Sequence, residues 1–275
     1  MIYTKFTNGF GNNLFQYNAA RVLAEHLDDQ VLAIPPSNNY YGIEPLKSLG
    51  IEFVDRVPSV SNIVNDSTYI KCFGKNFENK DLLLNGYFED YRFYLPLRKK
   101  IKSWFPNVEQ RKDNDLVLHM RTGDRLFMKN EFYTKPKPEN FIKAIEKFNF
   151  DRLHIVSDMP KWDYITEEEL AQTSFHLKVP DSQSVPIKDS VEYFNSFVEG
   201  FSRFEPIYVQ REVHEDFNFI RSFKNILFEH GTLSWWAAFL SEADKVGVYG
   251  PWRPWKGKTN KNLSNVKMDN WFKWE

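Results

Sequence analysis

The chain has a single cysteine, Cys72, in 275 residues. One thiol cannot form an intrachain disulfide or a cysteine-cluster zinc site. Its default place is that of a small buried hydrophobe. No apolar run reaches the roughly 18 residues of a membrane-spanning helix, so none is expected. Neither sign of charge dominates, since 36 basic and 37 acidic residues leave a net charge of −1. A dedicated nucleic-acid binder carries a basic excess, so that class loses weight. The opening Met-Ile-Tyr-Thr-Lys-Phe reads as a strand and lacks the basic and apolar pattern of a secretory leader. A cytoplasmic protein is expected, in which the sequons at Asn65 and Asn262 carry no meaning. Repeats and low-complexity tracts are absent. So are a P-loop, a Gly-x-Gly-x-x-Gly fingerprint, a His-Glu-x-x-His helix and a nucleophile elbow.

Large side chains are plentiful. Hydrophobic residues make up 42% of the chain, enough for a substantial core and too many for a disordered segment. Aromatics reach 17%, with 25 Phe, 13 Tyr and 8 Trp. Their ordinary role is core filling, and some could line a cleft for sugars or bases. The length suits two domains of about 100–150 residues, or one large domain.

Strand and helix signals alternate along the chain. Ile2–Phe6 is a strand signal, and the Gly/Asn turn at residues 8–13 precedes apolar residues at helical spacing, Ala19, Val22, Leu23 and Leu27. Asn12 or Asn13 is expected as that helix's N-cap. Strands are expected at Val31–Ile34, Tyr69–Phe73, Leu82–Leu84, Leu116–Met120, Leu153–Val156, Ile207–Gln210, Asn225–Phe228 and Lys245–Tyr249. Helices are expected at Leu97–Phe105, Pro138–Phe148, Thr166–Gln172, His214–Ser222 and Leu233–Leu240. The pattern predicts an α/β protein with mainly parallel sheets. The polar turn at Lys112–Asp115 is the best boundary, giving regions 1–111 and 112–250. A Trp- and Lys-rich tail, 251–275, is expected to fold back on the body.

The most informative block is Leu116-Val-Leu-His-Met-Arg-Thr-Gly-Asp124. An apolar strand runs into His119, Arg121, Gly123 and Asp124 at its carboxyl end, where open α/β sheets bind ligands. The Arg fork suits a phosphate, and Gly frees the backbone at the strand's exit. The ordinary alternative is a surface ion pair between Arg121 and Asp124.

Four segments in order resemble the bacterial α-1,2-fucosyltransferases, family 11 of the glycosyltransferases. Asn8-Gly-Phe-Gly-Asn-Asn-Leu-Phe-Gln-Tyr17 is similar to that family's Gly-Gly-Leu-Gly-Asn-Gln-Met-Phe-Gln-Tyr. Leu84-Asn-Gly-Tyr-Phe-Glu-Asp-Tyr-Arg-Phe-Tyr94 is similar to its Gly-Tyr-aromatic-Gln segment. His119-Met-Arg-Thr-Gly-Asp124 resembles His-x-Arg-Arg-Gly-Asp. Ser222-Phe-Lys-Asn-Ile226 with Gly231-Thr-Leu-Ser-Trp-Trp-Ala-Ala-Phe-Leu240 resembles the Asn-Ser-Thr-Phe-Ser-Trp-Trp block. Ser157-Asp158 followed by Trp162 is a weaker fifth match. Thr122, Met159 and His230-Gly231 depart from the family's pattern, which bears on the sugar transferred and the linkage formed.

The resemblance implies a GT-B fold, two Rossmann-like domains facing across a cleft. It implies GDP-fucose as the sugar donor, inversion at the anomeric carbon, and no metal or other cofactor. Partners would be the nucleotide sugar and a glycan acceptor, without nucleic acid and with peripheral membrane association left open. Arg121 would stabilise the leaving β-phosphate. Gly11, Asn12 and Asn13 would sit at the donor's phosphates or sugar, where a helix N-terminus attracts anions. Thr232 and Ser234 would hold the diphosphate or cap their helix, and Trp235 is a donor-site candidate or a core residue. Ser157 and Asp158 would face guanine or ribose, or cap the next element. Tyr87 and Glu89 fall on the acceptor side. The general base is taken as Asp124, with Glu89, Asp90 and Glu131 also possible. His119 is positioned by Arg121 and the donor, or is structural.

Three other readings stay open: another GDP-sugar, a non-catalytic carbohydrate-binding protein, and nucleic-acid binding through the tail. The tail reading rests on Trp252, Arg253, Trp255, Lys256, Lys258 and Lys261. Asp113-Asn114-Asp115 matches the metal-binding Asp-x-Asp of a different architecture, but it precedes a strand and reads as a charged turn.

Overall fold

The computed structural model describes residues 1–7, 9–36, 43–56, 58–75, 77, 80–123, 126, 137–173, 185–229, 231–249, 268 and 270–274. The first part of the chain alternates β1 (Ile2–Lys5), α1 (Phe10–Leu27), β2 (Val31–Ile34), α2 (Glu44–Lys47), β3 (Asn62–Val64), α3 (Tyr69–Cys72), β4 (Leu82–Leu84) and α4 (Arg98–Ser103). The second begins with β5 (Leu116–Met120), α5 (Pro138–Ile145), β6 (Leu153–Ser157), α6 (Glu167–Gln172), α7 (Ile187–Phe201) and β7 (Ile207–Val209). It continues with α8 (Val213–Arg221), β8 (Asn225–Phe228), α9 (Thr232–Leu240), β9 (Lys245–Tyr249) and β10 (Phe272–Trp274). The strands form two sheets, ordered β2-β1-β4-β3 and β10-β9-β8-β5-β6-β7. Every pairing in both is parallel.

Strand order fixes where a ligand can enter. From β5 the chain steps outward to β6 and β7, then returns to the other side of β5 as β8. The crevice beyond the carboxyl ends of β5 and β8 is therefore a topological switch point. In the first sheet β1 and β4 form the inner pair, with Thr4 opposite Leu84, so their exits lie side by side.

Alternation along β5 feeds two cores. Val117 joins the cluster around α1, α8 and α9, while Leu116, Leu118 and Met120 join the cluster around α5 and α7. The first cluster does not stop at the sheet boundary. It runs from Ile2, Leu14 and Leu82 through Trp235 and Trp236 to Phe217. Arg98 of α4 reinforces this junction. Its Nε and Nη2 donate to the carbonyls of Phe239 and Ser241 at 2.7 and 2.8 Å, capping the end of α9.

Several local expectations change. Tyr69–Phe73 is a helical turn rather than a strand. Asn65 nucleates it by accepting from Ser67 and Thr68, and only Tyr69 and Cys72, three apart, are buried. The N-cap of α1 is Gly9, in extended conformation with φ −111°, so Asn12 and Asn13 lie inside the first turn. The helix α7 goes beyond the elements expected from sequence, although its buried Ser190, Phe194, Phe197 and Phe201 follow helical spacing. Near the end of the tail, β10 pairs with β9 as a further strand.

Candidate active site at the meeting of two helix starts

At Gly11 the two halves are in close contact. A Cβ at this position would lie 2.1 Å from the backbone nitrogen of Leu233 and 2.5 Å from Thr232 Oγ1. Only glycine lets the first turn of α1 touch the first turn of α9. Thr232 Oγ1 donates to Asn12 Oδ1 at 2.7 Å across this contact. Neither helix has a side-chain cap. Two sets of first-turn N–H groups, one from each half, therefore meet at one place, and each set favours negative charge. Asn13 lies beneath. It is fully buried, its Oδ1 accepts from the Thr7 N–H at 3.2 Å, and its Nδ2 has no partner among the described residues.

His119, near the end of β5, joins the same place. Its Nδ1 lies 2.5 Å from Ser234 Oγ on α9. Burial, and secondarily the nearby Arg121 guanidinium, push its pKa down to about 4. The imidazole is therefore neutral near pH 7. Arg121 follows β5 and is exposed. Thr122 is fully buried, with its Oγ1 3.0 Å from Ser157 Oγ. An arginine, as in the family pattern, would have to bury its guanidinium there.

Asp158 has a role that the sequence left open. Its Oδ1 accepts from the N–H groups of Thr122 and Gly123 at 2.7 and 2.8 Å. It caps the turn that carries Arg121. Behind it, Trp162 stacks on Tyr208 and Phe201, with ring centroids 5.5 and 5.9 Å away. The Tyr208 hydroxyl donates to the carbonyls of Ser157 and Met159.

Sequence reading missed Asp216, in the first turn of α8. Its Oδ1 is buried without a hydrogen-bond partner among the described residues, as is Nδ1 of His214. Burial pushes its carboxyl up to about 6. It lies past the carboxyl end of β7, on the ligand side of the second sheet. The available signal was a Glu-Asp pair at the start of a helix following a strand, which also reads as ordinary dipole compensation.

Trp235 belongs to the core. It is fully buried and stacks on Phe239 at 4.9 Å, with Phe15 on α1 at 4.8 Å. It props the two helix starts together and offers no open face to a ligand. Tyr87 is exposed and Glu89 half-buried, both in the loop after β4. Asp90 is held by Arg92 in an ion pair at 2.5 Å, which lowers its claim as a base. Asp124, Glu131, His230, Asn262 and the tail residues Trp252, Arg253, Trp255, Lys256, Lys258 and Lys261 lie outside the described residues. The Asp113-Asn114-Asp115 turn pairs with Arg111 through both carboxylates. No group of three or more His, Cys, Asp or Glu side chains with metal-holding geometry occurs among the described residues. No described helix is long and apolar enough to cross a membrane.

No family model and no curated protein matches the chain. Among solved structures it is similar to the bacterial iron-containing dodecameric glycosyltransferase TibC from enterotoxigenic E. coli, with 11% identity and a TM-score of 0.41. That match covers 94% of this chain and 62% of the other, so this chain spans less than two thirds of TibC's length.

Proposed function

We propose that this protein is an inverting fucosyltransferase that moves L-fucose from GDP-fucose to a glycan hydroxyl in an α-1,2 linkage. In this reading the arrangement is of the GT-B kind, with residues 1–111 on the acceptor side and 112–250 on the nucleotide side, while most of the 251–275 tail lies outside the described residues. The observation that carries the reading is the convergence of separated motifs. Gly11 and Asn12 of the first segment touch Thr232 and Leu233 of the last, and Ser234 reaches His119 of the third. The second segment is tied in by Gln16, whose Nε2 donates to the Gly86 carbonyl at 2.9 Å. Close packing of α1 on α9 brings these residues together, and the helix starts left without side-chain caps at that contact offer N–H groups to an anion.

The chemistry follows from the charges. Cleaving the sugar–phosphate bond leaves negative charge on the β-phosphate. The first-turn N–H groups of α1 and α9 are preorganised to receive it, and Arg121 adds a charged fork. A neutral His119 that accepts from Ser234 at Nδ1 carries its proton on Nε2 and serves as a further uncharged donor. Asp216 is a partly desolvated carboxylate past β7, suited to accept the N–H groups of a guanine edge. A dissociative, oxocarbenium-like transfer needs only modest help from a base, for which Asp124, Glu89 and Glu131 remain the candidates.

Isothermal calorimetry with GDP in the presence of a chelator tests the nucleotide part, followed by thermal-shift comparison of GDP-fucose, GDP-mannose and UDP-sugars. Micromolar GDP binding and selective stabilisation by GDP-fucose are expected. Stabilisation by a UDP-sugar alone, or no nucleotide binding with or without metal, overturns the reading.

A further inference from the structure

The loop after β4 holds an unusual conformation. Phe88 has φ +54°, in the left-handed region, although it is a bulky residue and its side chain is 1% exposed. Such a backbone is strained for a bulky residue and persists only where its surroundings over-determine it. Here they do. Asp66, in the turn after β3, accepts from the Tyr87 N–H at 3.1 Å and the Phe88 N–H at 2.7 Å. The Phe88 carbonyl accepts from Tyr94 Oη at 2.6 Å and from the Asp90 N–H at 2.8 Å. The Phe88 ring packs on Tyr69 at 5.2 Å. The Gly86 carbonyl accepts from Gln16, whose own Oε1 accepts from the Thr7 N–H at 3.1 Å.

These contacts lace together three loops at one edge of the first sheet. The exits of β1, β3 and β4 are joined through Gln16 and Asp66, and the β1 exit leads directly into the α1 start. Phe88 turns inward while its neighbours Tyr87 and Glu89 keep solvent access. An aromatic ring and a carboxylate two residues apart, on a backbone pinned by these hydrogen bonds beside the start of α1, suit a sugar ring and its hydroxyls: apolar face on the ring, hydroxyl donors to the carboxylate. Fixing that geometry in advance lowers the ordering cost of binding.

We propose that Asp66 is a positioning residue for the glycan acceptor, acting through the two backbone amides that set the Phe88 conformation and so aim Tyr87 and Glu89. Asp66 belongs to none of the motifs read from sequence. The inference rests on the transferase reading for the identity of the reaction, but its binding half stands without it. A second handle exists on the same contact. A Cβ on Gly86 would lie 2.5 Å from Asp66 Oδ2, so Gly86→Ala displaces the carboxylate without removing its charge.

The test compares wild type, Asp66→Ala, Asp66→Asn, Gly86→Ala and Tyr87→Ala on a printed oligosaccharide array. GDP titration, melting temperature and, where turnover is found, KM for each substrate are measured on the same proteins. Asp66→Ala and Gly86→Ala are expected to lose glycan binding at least 10-fold, as Tyr87→Ala does, and to raise the acceptor KM similarly. GDP affinity should stay within 2-fold, and Asp66→Asn, which keeps one acceptor oxygen, should fall between. Glycan and GDP affinities that fall together in step with melting temperature overturn the proposal, because they mark Asp66 as merely structural. So does an unchanged acceptor KM in Asp66→Ala. Wild type that binds GDP but no glycan also overturns it and leaves the nucleotide site intact. Glycan binding without any GDP binding overturns the transferase reading and keeps the Asp66 assignment.

Discussion

The two ends of β5 carry similar side chains put to opposite uses. At the amino end, Asp115 is buried and closed in by cations and a histidine. Arg111 Nη2 lies at 3.0 Å, Arg152 Nη2 at 3.1 Å and His154 Nε2 at 2.7 Å. Arg111 also lies over the Phe223 ring at 4.6 Å. Charge is answered by charge, and the cluster ties the 111–115 turn to the second sheet. At the carboxyl end, the contacts run between carboxylate, hydroxyl, imidazole and backbone N–H, with helix starts left uncapped. Here His119 is kept neutral and Arg121 is exposed. Residue type alone does not separate structure from function. The difference lies in whether the fold satisfies its own polar groups or leaves capacity pointing outward.

The largest expected effect breaks the structural end. Asp115→Ala removes the buried carboxylate shared by Arg111, Arg152 and His154 while Asp113 still pairs with Arg111, which should cost about 2–4 kcal/mol of stability. Chemical denaturation measures this, and GDP affinity measured below the transition should be unchanged. A loss of GDP affinity in the folded variant would merge the two ends that the comparison separates.

Arg121→Ala is the reciprocal case. An exposed guanidinium contributes little to the core, so the melting temperature should hold. The loss of one charged contact to the leaving phosphate should slow transfer by about 10²–10³-fold. Wild-type turnover in this variant removes Arg121 from the mechanism.

Gly11→Ala sharpens the comparison from the backbone. A methyl 2.1 Å from the Leu233 nitrogen forces α1 away from α9. Overpacking of this kind costs about 1–3 kcal/mol, and GDP binding should fall by more than the stability loss explains, because both N-termini move. Calorimetry and denaturation on the same sample decide it.

The smallest effects concern pH. His119 has a folded pKa of about 4 against an ordinary 6.5. The unfolded chain binds the extra proton between those values, so this group's stability is present above pH 6.5 and is lost as pH falls towards 4. Asp216 runs the other way, with a folded pKa of about 6 against 3.8. The fold binds the extra proton there, so its contribution is present below pH 3.8 and is lost as pH rises through 6. The two slopes oppose each other in wild type. Asp216→Asn should therefore stabilise the ligand-free protein near pH 7 by about 1–2 kcal/mol, steepen the loss on acidification and weaken GDP binding. An unchanged acid-side slope in urea titrations at pH 4–7 would falsify the opposition.

Much of the second sheet is legible in the sequence, because β5, β6 and β8 are short, mostly apolar runs bounded by polar turns. The amphipathic α5 and α8 follow from spacing in the same way. What was misread has local causes. Tyr69–Phe73 has strand composition, but the Asn65 turn winds it into a helix. Asn12 and Asn13 have N-cap chemistry, but α1 starts after Gly9, and Asn13 Oδ1 instead accepts from the Thr7 N–H. Trp235 lies in a segment that resembles a fucosyltransferase motif, but α1 and α9 pack so closely that it is sealed between Phe15 and Phe239.

By itself the sequence determined the parallel α/β class and the His119–Arg121 strand exit, since both follow from side-chain pattern over a few residues. The tertiary structure alone decided that Gly11 meets Leu233, that Asp158 caps the Arg121 turn, that Asp216 is buried, and that Asp66 holds Phe88. Each of these depends on contacts between segments far apart in the chain. No local pattern encodes them, because they exist only once the strand order has brought the loops to a common edge.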